Sequence, residues 1–96
     1  MIKKLDRVTG PDGRDRTAAA EHHLNEAFAA TFRGRSGEVV MDYLRAITIN
    51  FVAGPEGSDS FLRHMEGQRF LCGLIQTRIV NGGKQRKRDI SKKDSE

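Results

Sequence analysis

Gly54-Pro55-Glu56-Gly57 sets the strongest limit on how this chain folds. Proline disfavours helical geometry in the residue before it, so no helix runs through this stretch. On both sides of it, apolar residues recur at steps of three and four. Upstream, Val40, Tyr43, Leu44, Ile47 and Phe51 fall within about one quadrant of a helical wheel at ~100° per residue. Downstream, Phe61, Leu62, Met65, Leu71, Cys72, Ile75, Ile79 and Val80 make a wide face. The pattern predicts one helix from about Glu38 to Val52 and another from about Ser60 to Asn81, joined as a hairpin. The upstream segment is rich in β-branched residues, which makes a strand the competing reading. Its strict spacing and its length decide for helix.

Another helix precedes this pair. Ala20, Leu24, Ala27, Phe28, Thr31 and Phe32 share one face, with Thr17 as N-cap and Gly34 as the stop. Arg35-Ser36-Gly37 is the linker, and Ser36 is placed to cap the second helix. Ser58 or Asp59 caps the third, which Gly82-Gly83 is expected to end. Residues 1–16 centre on Gly10-Pro11-Asp12-Gly13, which is turn chemistry. They read as an irregular arm whose Ile2, Leu5 and Val8 are able to lie across the domain. Residues 84–96 have no apolar period and are expected to be disordered or frayed, and separable from the fold. The expected fold is all-α: a three-helix domain over 17–83 between an irregular arm (1–16) and a basic tail (84–96).

The chain has 96 residues and a single cysteine, so it forms one thin-cored domain without an internal disulfide. No run approaches the ~20 apolar residues of a membrane span, and no signal-peptide core follows the basic start. The expected location is the cytoplasm of the producing cell. The net charge of +4 is uneven. Residues 1–16 hold five Lys/Arg against three Asp, 17–83 hold six Arg against seven acids, and 84–96 hold six Lys/Arg against three acids.

Catalytic, metal and cofactor roles find no support. A nucleophile needs a base within reach and a group orienting that base, whereas Cys72 sits mid-helix on the apolar face and reads as a core thiol. His22 and His23 are adjacent on a helix, point ~100° apart and read as surface residues. His64 and Glu66, two apart, are a poor chelating pair. The phosphate-loop spacing is absent. The expectation is a protein that is not an enzyme and carries no metal or cofactor.

Binding features remain. Gly67 lies inside a helix, where glycine costs ~1 kcal/mol relative to alanine. Either it admits a close neighbour while Glu66 pairs with Arg63 or Arg69, or this surface meets a partner. Phe70 and Leu74 lie opposite the main apolar face. Either the N-terminal arm covers them or they form a docking or self-association surface. The candidate docking set is therefore Arg63, Glu66, Gly67, Arg69, Phe70 and Leu74. Lys84, Arg86, Lys87, Arg88, Lys92 and Lys93 are the candidate contacts to nucleic-acid phosphates, which would be weak and salt-dependent. They lack interleaved aromatics for base stacking.

Phe28-x-x-x-Phe32, then Gly37-Glu38-Val39-Val40-Met41-Asp42-Tyr43-Leu44, then Glu66-Gly67-Gln68-Arg69 before an apolar helix through Leu74 and Ile75, resembles the Bbp-nineteen-like domain of tailed phages. The resemblance covers about 27–80 and excludes the basic tail. It implies a small helical phage protein, virion-associated or acting in head assembly or packaging. Its partners would be phage structural proteins or itself, in the host cytoplasm or the virion. The alternative is a nucleic-acid accessory protein that grips DNA through the tail. The resemblance implies no catalytic residues.

Overall fold

A computed structural model describes residues 6–94, with side chains through 91. Five elements follow in order: β1 (Arg7–Thr9), β2 (Asp15–Thr17), α1 (Ala18–Thr31), α2 (Arg35–Ile47) and α3 (Asp59–Asp94). The protein is largely helical, but not purely α. The expected irregular arm contains an antiparallel hairpin in which Arg7 pairs with Thr17, Val8 with Arg16 and Thr9 with Asp15. The turn chemistry at residues 10–13 is what closes it. Gly13 takes φ +80°, which L side chains avoid, and its N–H donates to the Gly10 carbonyl at 2.9 Å. Ile2 and Leu5 lie outside the described residues.

Two of the expected caps hold. Thr17 Oγ1 accepts from Ala20 N at 3.1 Å, and Ser58 Oγ accepts from Phe61 N at 3.1 Å. Ser36 does not cap α2, because the helix already begins at Arg35, after Gly34 at φ 90°. Gly37 then lies so close to the Phe32 backbone that a Cβ would overlap it. α2 also ends earlier than expected, at Ile47, and Phe51 follows in a turn with its N–H on the Thr48 carbonyl at 3.2 Å.

The largest correction concerns the third helix. It does not stop at Gly82-Gly83, and 84–94 is neither disordered nor separable from the fold. α3 is a single helix of 36 residues, about 54 Å at 1.5 Å per residue. The reason is packing. α1 crosses α3 at Gly82, where a Cβ would overlap the Asn25 carbonyl and the Ala29 methyl. Gln85, one turn further on, is held by α1. The glycine admits a neighbouring helix, and the Lys and Arg beyond it are good helix formers.

α2 runs back along α3. Met41 shares a cavity lining with Gln76 and Ile79, the Thr48 carbonyl meets Arg69, and the Phe51 and Phe61 rings stack edge to face at 6.3 Å. The second and third helices follow one another in the expected order, but the close helix packing is between α1 and α3 and not within a hairpin of α2 and α3, and the rotation of α2 also differs from the expected one. Gly37, Met41 and Thr48 are buried, while Val40, Tyr43 and Ile47 face outward. The tight step at Phe32–Gly37 and the hold of Arg69 on the loop fix that rotation. Among the described residues the buried apolar ones are few: Ala29, Met41, Met65 and Cys72. Cys72 is thus the core thiol expected of it.

The molecule is long and flat, 58 × 38 × 16 Å, with a Cα radius of gyration of 17.0 Å. A compact domain of this length would have about 12.5 Å.

Candidate functional site

At the crossing of the hairpin, α1 and α3 lies a closed polar brace. Arg78 projects from α3 with only 4 % of its side chain exposed. Its Nη1 donates to Glu21 Oε2 at 2.9 Å and to Asn25 Oδ1 at 3.0 Å. Asn25 Nδ2 donates to Gln85 Oε1 at 2.8 Å, and Gln85 Nε2 donates to the His22 carbonyl at 3.1 Å. From β2, Arg16 donates to Glu21 Oε1 at 2.6 Å and to Asp12 Oδ2 at 2.7 Å. Two guanidinium groups meet two carboxylates, so the charges cancel. Among the described residues no buried side-chain nitrogen or oxygen lacks a partner.

The same contacts set the acidities. The Arg16 hydrogen bond, helped by the Arg14 N–H, holds Asp12 down at about 2. Burial alone would raise Glu21, but hydrogen bonds from Arg78 and Arg16 outweigh it and leave its carboxyl below the usual range. Arg16 is correspondingly raised, first by Asp12 and then by Glu21. Chemically, this arrangement holds three elements together.

His22, Glu26 and Asp89 form a smaller cluster at the edge of the brace, their donor atoms all within 4.8 Å of one another. His22 Nε2 lies 2.7 Å from Glu26 Oε1 and 4.0 Å from Asp89 Oδ2. The three are solvent-accessible, and Arg86 and Arg88 line the cavities beside them, which opposes a cation. Spacing within the sequence could not show this cluster, because Asp89 reaches α1 only through the continued α3.

The expected docking residues separate into two groups. Arg69 serves the fold: its Nε donates to the Thr48 carbonyl at 3.3 Å and its Nη2 to the Phe51 carbonyl at 2.6 Å. It also carries the Glu66 ion pair at the expected three-residue spacing. The close-packing reading of Gly67 is overturned, since a Cβ there would meet nothing within 4 Å. Arg63 is exposed, Phe70 is 63 % exposed and Leu74 is half-buried. The described part of the N-terminal arm lies against α1 and the far end of α3, with Val8 lining a cavity beside Gln85 and Arg88. It does not cover Phe70.

Helix geometry extends this bare region. Met41 of α2 lies beside Gln76 and Ile79 of α3, and the Thr48 carbonyl after α2 meets Arg69, so α2 runs antiparallel to α3. Rotation of about 100° per residue then puts Val40, Leu44 and Ile47 on the same flank of the pair as Leu71 and Ile75. Gly82, where α1 crosses, lies on this flank too, but only at its far end. Below the crossing, Leu71 is 57 %, Val40 47 % and Ile47 44 % exposed. Leu71, assigned to the core by periodicity, is therefore surface.

The basic residues sit on an ordered helix. Lys84, Arg86, Lys87 and Arg88 are exposed on α3, and Arg33, in the linker after α1, lines two cavities with Arg86. Lys92 and Lys93 lie beyond the described side chains. No helix among the described residues is long and apolar enough to cross a membrane.

A family model described as Bbp19-like phage protein matches residues 28–88. The match takes in α2, the loop and most of α3, including the basic run Lys84–Arg88 that the resemblance noted above left out. It begins after the polar half of α1. No curated protein and no solved structure matches.

Proposed function

The chain belongs to the Bbp19-like phage protein family, and from that premise we propose that it is a non-enzymatic part of the tailed-phage particle or of its assembly, working by docking on protein. The observation that carries this reading is the bare apolar flank of α2 and α3 below the α1 crossing. Contiguous apolar surface of this kind marks interaction sites on soluble proteins. The polar brace supports it from the other side, because its donors and acceptors are occupied by one another. Partners are phage structural proteins or further copies of the chain, in the host cytoplasm or the virion. Quantitative mass spectrometry of purified particles and assembly intermediates tests this. The chain is expected at a fixed copy number in one of them, and its absence from both refutes the reading.

A second reading has one observation in its favour. The cations at the end of α3 are held on a helix and joined by Arg33, so they form a patch and not a loose tail. Such a patch suits the phosphates of duplex DNA. Binding would weaken with a slope of about −0.9 per contact in log affinity against log salt. A salt titration of duplex binding by wild type and Arg86→Glu/Lys87→Glu distinguishes it from docking on protein.

A further inference from the structure

We propose that the cleft beside the crossing of α1 and α3 is a docking site for an acidic segment of a partner protein, which seats apolar side chains on the floor of the cleft and carboxylates on its rim. This gives the partner of the docking reading a chemistry and rests on that reading. The cleft is separate from the apolar flank of α2 and α3.

The first observation is the lining. Ala29 of α1 and the following Phe32 and Arg33 stand at steps of three and four. Ile79, Gly83, Arg86, Lys87 and Ile90 repeat that spacing on α3, so each set shares one face. Together they line a cleft of about 370 Å³. Ala29 is buried, Phe32 and Ile79 are half-buried and Ile90 is 49 % exposed, so the floor is apolar and opens to solvent at one end. From Ile79 to Ile90, α3 rises about 16 Å. That length suits an amphipathic helix, which lays anchors from successive turns into an apolar groove.

The second observation is Gly83. The α1 crossing accounts for Gly82, but a Cβ at Gly83 would meet nothing within 4 Å, and its φ is not positive. Neither packing nor backbone geometry requires glycine there, and glycine is disfavoured inside a helix. Gly83 stands between Ile79 and Lys87, one helical turn from each, at the centre of the lining face. A side chain at this position would stand in the cleft.

The third observation selects the occupant. Arg33, Arg86 and Lys87 are exposed on the rim, and among the described residues lining the cleft none is acidic. Arg16, Arg35, Arg45, Arg69 and Arg78 each hold a carboxylate, whereas Arg33, Arg86 and Lys87 hold none among the described residues. Glu26 and Asp89 line a neighbouring cavity with Arg33 and Arg86, but they stand against His22. The complement of this rim is a set of carboxylates. The floor separates an acidic protein segment from duplex DNA. Phosphates are met by cations alone and gain nothing from Phe32, Ile79 and Ile90, whereas an amphipathic acidic segment uses both parts of the cleft.

Fluorescence anisotropy with the full chain tests the proposal. The probe is a labelled, end-blocked peptide about three turns long, with leucine on one face and glutamate beside it. Wild type is expected to bind it in a salt-dependent way, and to bind the same peptide with glutamine for glutamate about tenfold more weakly. Gly83→Leu fills the cleft and is expected to weaken binding of the glutamate peptide by a similar factor, while its melting midpoint does not fall. Arg33→Glu/Lys87→Glu alters exposed side chains and is expected to weaken it too, so this variant decides if Gly83→Leu loses its helicity. A wild type that does not bind the peptide overturns the proposal. So do equal binding of the two peptides and wild-type affinity in either folded variant. Duplex DNA bound more tightly than the peptide, and lost in Gly83→Leu, overturns it in favour of a phosphate site. Self-association of the wild type that Gly83→Leu abolishes, measured by sedimentation equilibrium, overturns it in favour of a second copy. Peptide binding by a chain absent from particles and intermediates refutes the docking function and leaves the cleft. A chain present in them that binds no peptide overturns the cleft and leaves docking through the flank.

Discussion

Gly82 and Gly83 are neighbours in one helix, yet substituting them should have opposite effects. Alanine in place of glycine favours a helix by about 1 kcal/mol. At Gly83 a Cβ meets nothing within 4 Å, so Gly83→Ala should gain about that amount. At Gly82 the new methyl overlaps the Asn25 carbonyl and the Ala29 methyl. Forcing extra volume into a packed site costs about 1–3 kcal/mol. The upper part of that range applies here, because the obstacle is α1 backbone and not the tip of a flexible side chain. After the propensity gain is subtracted, Gly82→Ala should lose about 1–2 kcal/mol. The two variants then differ by about 2–3 kcal/mol, on the order of 10–20 °C in melting temperature for a domain this small. Thermal and urea unfolding followed by far-UV circular dichroism, at one fixed protein concentration, measures the difference. If Gly82→Ala stabilises as much as Gly83→Ala, α1 does not cross α3 there, and the explanation for the continued helix fails.

Three further outcomes are expected. Arg78→Leu leaves Glu21 buried with half its partners and should cost about 3 kcal/mol in urea unfolding, with Arg16 limiting the loss. Asp12, held at about 2 against an ordinary 3.8, and Glu21, also lowered, contribute stability that is complete above about pH 4.5 and falls away as pH drops through the folded values. Urea midpoints measured from pH 7 to pH 2 should decline over that acid range, less steeply in Asp12→Asn. Arg69→Ala frees the Thr48 and Phe51 carbonyls, should cost about 1–2 kcal/mol, and should raise hydrogen exchange first in residues 48–53.

The helical segments were legible because local periodicity and caps specify them. Thr17, Ser58 and the break at Pro55 are each read from a few adjacent residues. The orientation of α2 was not legible, because the apolar quadrant of a helix normally faces inward. Here the backbone contact at Gly37 and the reach of Arg69 across the loop turn it outward. The Gly82-Gly83 pair misled for a related reason. A glycine that ends a helix and one that admits another helix look alike until residue 25 is known to lie against residue 82. Arg78 was absent from the expected site residues, since an arginine at position 78 gives no local sign that Glu21 and Asn25 will close around it. Phe70 is exposed and Leu74 half-buried, while Leu71, which periodicity assigns to the core, is 57 % exposed because the face it shares is left uncovered below the α1 crossing.

The most direct measurement is the yield of infectious particles from a phage whose copy of this chain carries Leu71→Glu, with Val80→Glu as the control. The side chain at 71 stands in solvent in the single chain, so the purified variant should keep its helicity. Loss of particle yield, with the variant chain missing from particles and intermediates and the control unaffected, is the expected result. Wild-type yield with the Leu71→Glu chain incorporated at its normal copy number would contradict a role for the flank.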